Sequence, residues 1–88
     1  MHADDIKSLI EQNIPDADVQ VSGADGVHFE ALVISASFEG KSRVQQHQQV
    51  YRALGGRMES QEIHALALKT YTPQTWQAAN GEPQNPGR

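Results

Sequence analysis

HFEALVISAS, residues 28–37, is the stretch whose reading decides the fold. Successive residues of a strand face opposite sides of its sheet. Here both sides are apolar, with Phe29, Ala31 and Val33 on one and Leu32, Ile34 and Ala36 on the other. A strand buried on both faces belongs inside a sheet, so the flanking sequence should supply its neighbours. Just upstream, Asp18-Val19-Gln20-Val21-Ser22 alternates polar and apolar as a half-buried strand does. Gly23-Ala24-Asp25-Gly26 then offers two flexible glycines for a hairpin turn. Downstream, after the connector Phe38-Glu39-Gly40-Lys41, residues 63–71 (IHALALKTY) alternate at their centre and predict a third strand.

Helical spacing fills the gaps. Ile6, Leu9, Ile10 and Ile14 recur on one face of a first helix that Asp4 is placed to cap. Pro15 ends it, because the residue before a proline is pushed out of helical geometry. Ser42-Arg43-Val44-Gln45 is a capping box opening a second helix. Val44, His47, Val50, Tyr51 and Leu54 are expected on its inner face, and Gly55-Gly56 ends it. Residues 57–62 suggest a helical turn. Thr72-Pro73 opens a last helix running through Trp76 to Ala79, closed by Asn80-Gly81. The order α-β-β-α-(turn)-β-α predicts an α+β layer: three strands with helices on one sheet face. Residues 1–80 form the expected domain. Residues 81–88, nearly devoid of apolar side chains, are expected to be a disordered tail.

Composition bounds the function. Eighty-eight residues make one domain with a modest core. No apolar run approaches the ~20 residues of a membrane span. The N-terminal MHADDIKSLI is acidic and lacks the basic-then-apolar pattern of a secretory signal, from which a cytoplasmic location is expected. Cysteine is absent, which excludes disulfides and any thiolate ligand or nucleophile from this chain. The net charge of −4 is unevenly spread. Eight acids stand between Met1 and Glu39 against Lys7 alone, whereas Gly40 to Met58 carries Lys41, Arg43, Arg52 and Arg57 and no acid. Such a stretch is a solvated helix face or a phosphate-binding surface.

Catalytic motifs are missing: there is no Gly-rich phosphate loop, no nucleophile elbow and no spaced pair of carboxylates. A binding partner or adaptor is expected, not an enzyme, with no catalytic residue assigned. Of the histidines, His2 is terminal and His47 sits on the inner face of the second helix, where a packed ring is the ordinary reading. His28 lies at the turn end of the second strand and His64 near the start of the third. A neutral imidazole gives one nitrogen to a metal while a hydrogen bond fixes the other. Periodicity puts His64 on a face with Leu66 and Leu68, so packing and ligation are both open at this point.

Two segments resemble the signature stretches of the BolA family: LVISASFEGKSRVQQHQQVY (32–51) and IHALALKTYTPQTW (63–76). The short hairpin loop ending Gly26-Val27-His28-Phe29 is most similar to the IbaG-like branch. The resemblance implies a fold similar to the class II KH type, α-β-β-α-α-β-α. It implies a role in iron homeostasis and iron–sulfur cluster trafficking, in complex with a monothiol CGFS-type glutaredoxin. It further implies that His64 is a metal ligand, with His28 the residue of the hairpin region able to serve as the second. A [2Fe–2S] cluster takes four ligands, mostly thiolates. A chain without cysteine therefore holds none alone, and the cluster is expected to be shared with the glutaredoxin and glutathione. The expected states are a monomer alone and a heterodimer with the partner.

A KH-like fold also raises, as the alternative, a transcriptional regulator of stress response that binds nucleic acid, DNA or RNA. Lys41, Arg43, Arg52 and Arg57 are the residues that would meet phosphates, while the sequence pI near 5.4 opposes tight non-specific binding.

Overall fold

The structure, a computed structural model, describes residues 2–23, 25, 28–55 and 65–80. Helix α1 spans Ala3–Asn13, strand β1 Asp18–Ser22, strand β2 His28–Ile34, a 3₁₀ turn Ala36–Phe38, helix α2 Arg43–Ala53, strand β3 Ala65–Tyr71 and helix α3 Pro73–Asn80. The expected turn over 57–62 and tail over 81–88 lie outside the described residues.

The sheet order is β1-β2-β3, with β2 central as its two apolar sides require. β1 runs antiparallel to β2, pairing Val19 with Val33 and Val21 with Ala31. β3 runs parallel to β2, pairing Phe29 with Leu66, Ala31 with Leu68 and His28 with Ala65. One sheet face thus gathers Val19, Phe29 and Val33, and α1 and α2 close over it. Ile6 and Ile10 from α1 with Ile14 just past its end, Val50 and Ala53 from α2 with Leu54 just past its end, and Phe38 complete the core. α3 follows directly from β3, its Trp76 ring meeting Tyr71 edge-on at 5.3 Å. Leu32, Tyr71 and Trp76 border a shallow groove of about 580 Å³ on the opposite face. Among the described residues no helix is long and apolar enough to cross a membrane.

Four local expectations are corrected. The first helix is capped at His2, whose N–H donates to the Asp5 carboxylate at 3.0 Å, so Asp4 lies inside the first turn. β2 ends at Ile34 instead of Ser37. There the buried Ser35 hydroxyl donates to the Pro15 carbonyl (2.7 Å) and accepts from the Ser37 N–H (3.1 Å), bending the chain into the 3₁₀ turn. Phe38, expected in a connector, is fully buried by that turn. On α2, Val50 and Leu54 are buried as expected and His47 is half-buried, but Val44 and Tyr51 are 66% and 38% exposed. Gln46 sets this rotation. Its amide donates to the carbonyls of Phe38 and Lys41, and its Oε1 accepts from Thr70 Oγ1 on β3 at 2.7 Å. The inward stripe is therefore Gln46, Val50, Ala53 and Leu54.

Candidate functional site

His28 opens β2, and the turn before it supplies its partner. Asp25 accepts the His28 backbone N–H on Oδ1 at 2.8 Å, closing a side-chain turn, and its Oδ2 lies 2.8 Å from His28 Nδ1. A carboxylate only accepts, so Nδ1 carries the proton and the lone pair of the neutral ring sits on Nε2. The His28 side chain is 74% exposed, which leaves Nε2 open to an incoming group. This is the arrangement that orients metal-bound histidines: one nitrogen held by a carboxylate, the other free to donate.

The sheet then fixes what stands beside it. In the parallel register His28 is the partner of Ala65, and adjacent strands lie about 4.8 Å apart. His64 is outside the described residues, but it is peptide-bonded to Ala65. Among the described residues no group of three or more His, Cys, Asp or Glu side chains could hold a metal ion.

Of the four bases expected to meet phosphates, the three among the described residues are not drawn into one patch. Lys41 donates through Nζ to Gln49 Oε1. Arg43 is the first residue of α2 and Arg52 lies in its last turn. Nine helical steps of about 100° put these two on opposite sides, about 13 Å apart along the axis. Arg57 is outside the described residues. What Arg43 does join is a cleft of about 320 Å³ between α2 and β3, with His47, Leu68, Lys69, Thr70 and Tyr71.

Sequence reasoning missed Asp25 as the group orienting His28, although the Asp-x-x-His spacing across a turn was visible. It also missed the cleft between α2 and β3, which no local signal announces.

Comparison with known proteins agrees with this architecture. The family model described as BolA-like protein matches residues 9–75. The acid stress protein IbaG of Escherichia coli (strain K12) is 37% identical over 76 residues, covering 86% of this chain and 89% of that protein. The DNA-binding transcriptional regulator BolA of Haemophilus influenzae is 42% identical over 53 residues, 60% of this chain and 50% of that protein. The structure of a bolA protein homologue from Coxiella burnetii superposes with a TM-score of 0.77 at 45% identity, covering 88% of this chain and 97% of that one. A family match from α1 into α3, and a solved homologue with the same fold, leave one conclusion: the chain belongs to the BolA family, on its IbaG-like branch.

Proposed function

We propose that this protein is a small adaptor, not a catalyst, that works in iron–sulfur cluster trafficking and iron homeostasis. It lends imidazole ligands from one edge of its sheet to a [2Fe–2S] cluster held jointly with a monothiol glutaredoxin and glutathione. The observation that carries this reading is the Asp25–His28 pair at the start of β2, in register with the residue that follows His64. His28 and His64 would hold the cargo, and the thiolates this chain lacks would come from the partner. Mixed imidazole and thiolate ligation raises the reduction potential above that of an all-cysteine site. It also makes retention acid-sensitive, since an imidazole must be unprotonated to donate.

The test is anaerobic reconstitution with iron, sulfide, glutathione and a monothiol glutaredoxin, read by visible absorption and circular dichroism. The chain alone should stay colourless. The pair should give a spectrum distinct from that of the glutaredoxin alone, altered by His28→Ala and lost or strongly altered by His64→Ala, with the complex surviving on gel filtration. A spectrum indifferent to both substitutions would refute the ligand assignment.

Nucleic-acid binding is the second reading. It draws on the exposed Arg43 and Lys69, neither ion-paired among the described residues, and on the name carried by the Haemophilus influenzae relative.

A further inference from the structure

Among the described residues the outer edge of β3 is uncovered: β2 pairs one side of it, and the sheet order places no strand on the other. The hydrogen bonds to β2 decide which main-chain groups point outward. In a strand the N–H and C=O of one residue point the same way, and successive residues alternate. The Tyr71 carbonyl accepts from the Ser35 N–H at 3.0 Å, so Tyr71, Lys69 and Ala67 turn their main chain toward β2. Leu66, Leu68 and Thr70 therefore present theirs outward, where no described main chain bonds them. The register runs unbroken from Ala65 to Tyr71, with neither proline nor bulge to blunt the edge.

The two sheet faces give this edge its chemistry. On the α2 side the half-buried Leu66 and Leu68 pack against the core. Beside them the cleft of about 320 Å³ that Arg43 and His47 line leaves room for added side chains. On the opposite face stand Ala67 and Lys69, both exposed, and the half-buried Tyr71. Arg43 and Lys69 thus flank the edge from its two faces, and neither is ion-paired among the described residues. No acid occurs in α2, β3 or α3. Glu30, on the face of Lys69, belongs to β2, one strand further in, as the partner of Ala67.

From this we infer that the outer edge of β3 binds an extended acidic segment of a partner protein, which joins the sheet as an added strand. The main chain of Leu66, Leu68 and Thr70 supplies the hydrogen bonds. Alternating side chains supply the selectivity, apolar ones beside Leu66 and Leu68 and carboxylates toward Arg43 and Lys69. A second copy of this chain is the less suitable occupant. Pairing β3 antiparallel with itself over its full length centres the ladder on Leu68 and sets the two Lys69 side chains diagonally, about 7–8 Å apart, like charge against like. The inference stands apart from cluster ligation, because it uses neither His28 nor His64.

The experiment takes the full chain and, as probe, a capped heptapeptide of alternating valine and glutamate, followed by proton–nitrogen NMR and amide hydrogen exchange. In the chain alone the amides of Leu66, Leu68 and Thr70 should exchange fast and those of Ala67, Lys69 and Tyr71 slowly. Peptide at about ten times its Kd should slow the first set about tenfold, as mass action requires, and change the second little. Lys69→Glu should raise the apparent Kd about tenfold, an attraction lost and a repulsion gained. A peptide with lysine in place of glutamate should bind the parent chain correspondingly weakly. Lys69 is exposed, so unchanged amide positions elsewhere will show that the variant is folded. Slow exchange at Leu66, Leu68 and Thr70 before peptide is added would mean that the edge is already covered. That result, binding that leaves these amides unprotected, affinity unmoved by charge reversal on either side, or dimerisation that protects the same amides would each overturn the proposal.

Discussion

Asp25 matters to this protein through what it does to another residue. With its two oxygens committed to the His28 backbone and ring, it fixes the tautomer that leaves Nε2 able to donate. Removing such a carboxylate from a metal-bound histidine lowers affinity about 10- to 100-fold. Asp25→Ala should therefore speed cluster loss from the glutaredoxin pair by a comparable factor under chelator challenge, followed by decay of the visible absorption. Because both side chains are more than half exposed, urea unfolding should change little. Equal decay rates for the variant and the parent would detach Asp25 from ligation. Gly23, at the mouth of the same hairpin, illustrates a purely steric constraint. A Cβ built there would lie 2.3 Å from Cδ1 of Phe29, whose ring is buried in the core and cannot swing aside. Gly23→Ala should destabilise the fold by about 1–3 kcal/mol, as forced overpacking does, measured as a lowered urea midpoint.

At the scale of elements, the joints are held by short polar side chains whose partners lie elsewhere in the chain. Ser35 ends β2, ties the α1–β1 connection through the Pro15 carbonyl and starts the 3₁₀ turn that buries Phe38. Ser35→Ala removes the three hydrogen bonds of a fully buried hydroxyl, to the Pro15 carbonyl, the Ser37 N–H and the Ser37 hydroxyl, and should cost about 1–3 kcal/mol in chemical unfolding. Ser42→Ala, which removes an exposed cap from α2, should cost about 1 kcal/mol. If the two variants unfold alike, Ser35 is not the joint described. This contrast explains what could be read from sequence. The capping box at Ser42 and Gln45, the Ile6–Ile10–Ile14 stripe and the alternation of Val19 and Val21 are local, so spacing revealed them. The rotation of α2 was not legible, because it depends on Gln46 reaching Thr70, 24 residues away. The cleft between α2 and β3 needs the same tertiary pairing. His28 was visible as a candidate, but its neighbour became definite only when the parallel register set it beside Ala65.

For the whole molecule the deciding property is the distribution of charge. The chain carries a net −4, with eight of its eleven acids in the first 39 residues. On the basic side, α2 separates Arg43 from Arg52 by half a turn, and Lys41 is bonded to Gln49. Among the described residues a rigid duplex laid along α2 therefore meets one of its two arginines together with Lys41, whose hydrogen bond to a neutral amide leaves its charge in place. Each phosphate neutralised contributes about −0.9 to the slope of log K against log salt, so a slope no steeper than about −2 is expected. Fluorescence anisotropy with a labelled duplex should accordingly show weak association at low salt that vanishes at physiological ionic strength, because salt screens the few phosphate contacts and removes the counterion-release gain behind them. A slope near −5 with sequence preference would require a basic surface that the described residues do not assemble. It would move nucleic-acid recognition ahead of cluster handling as the work of this fold.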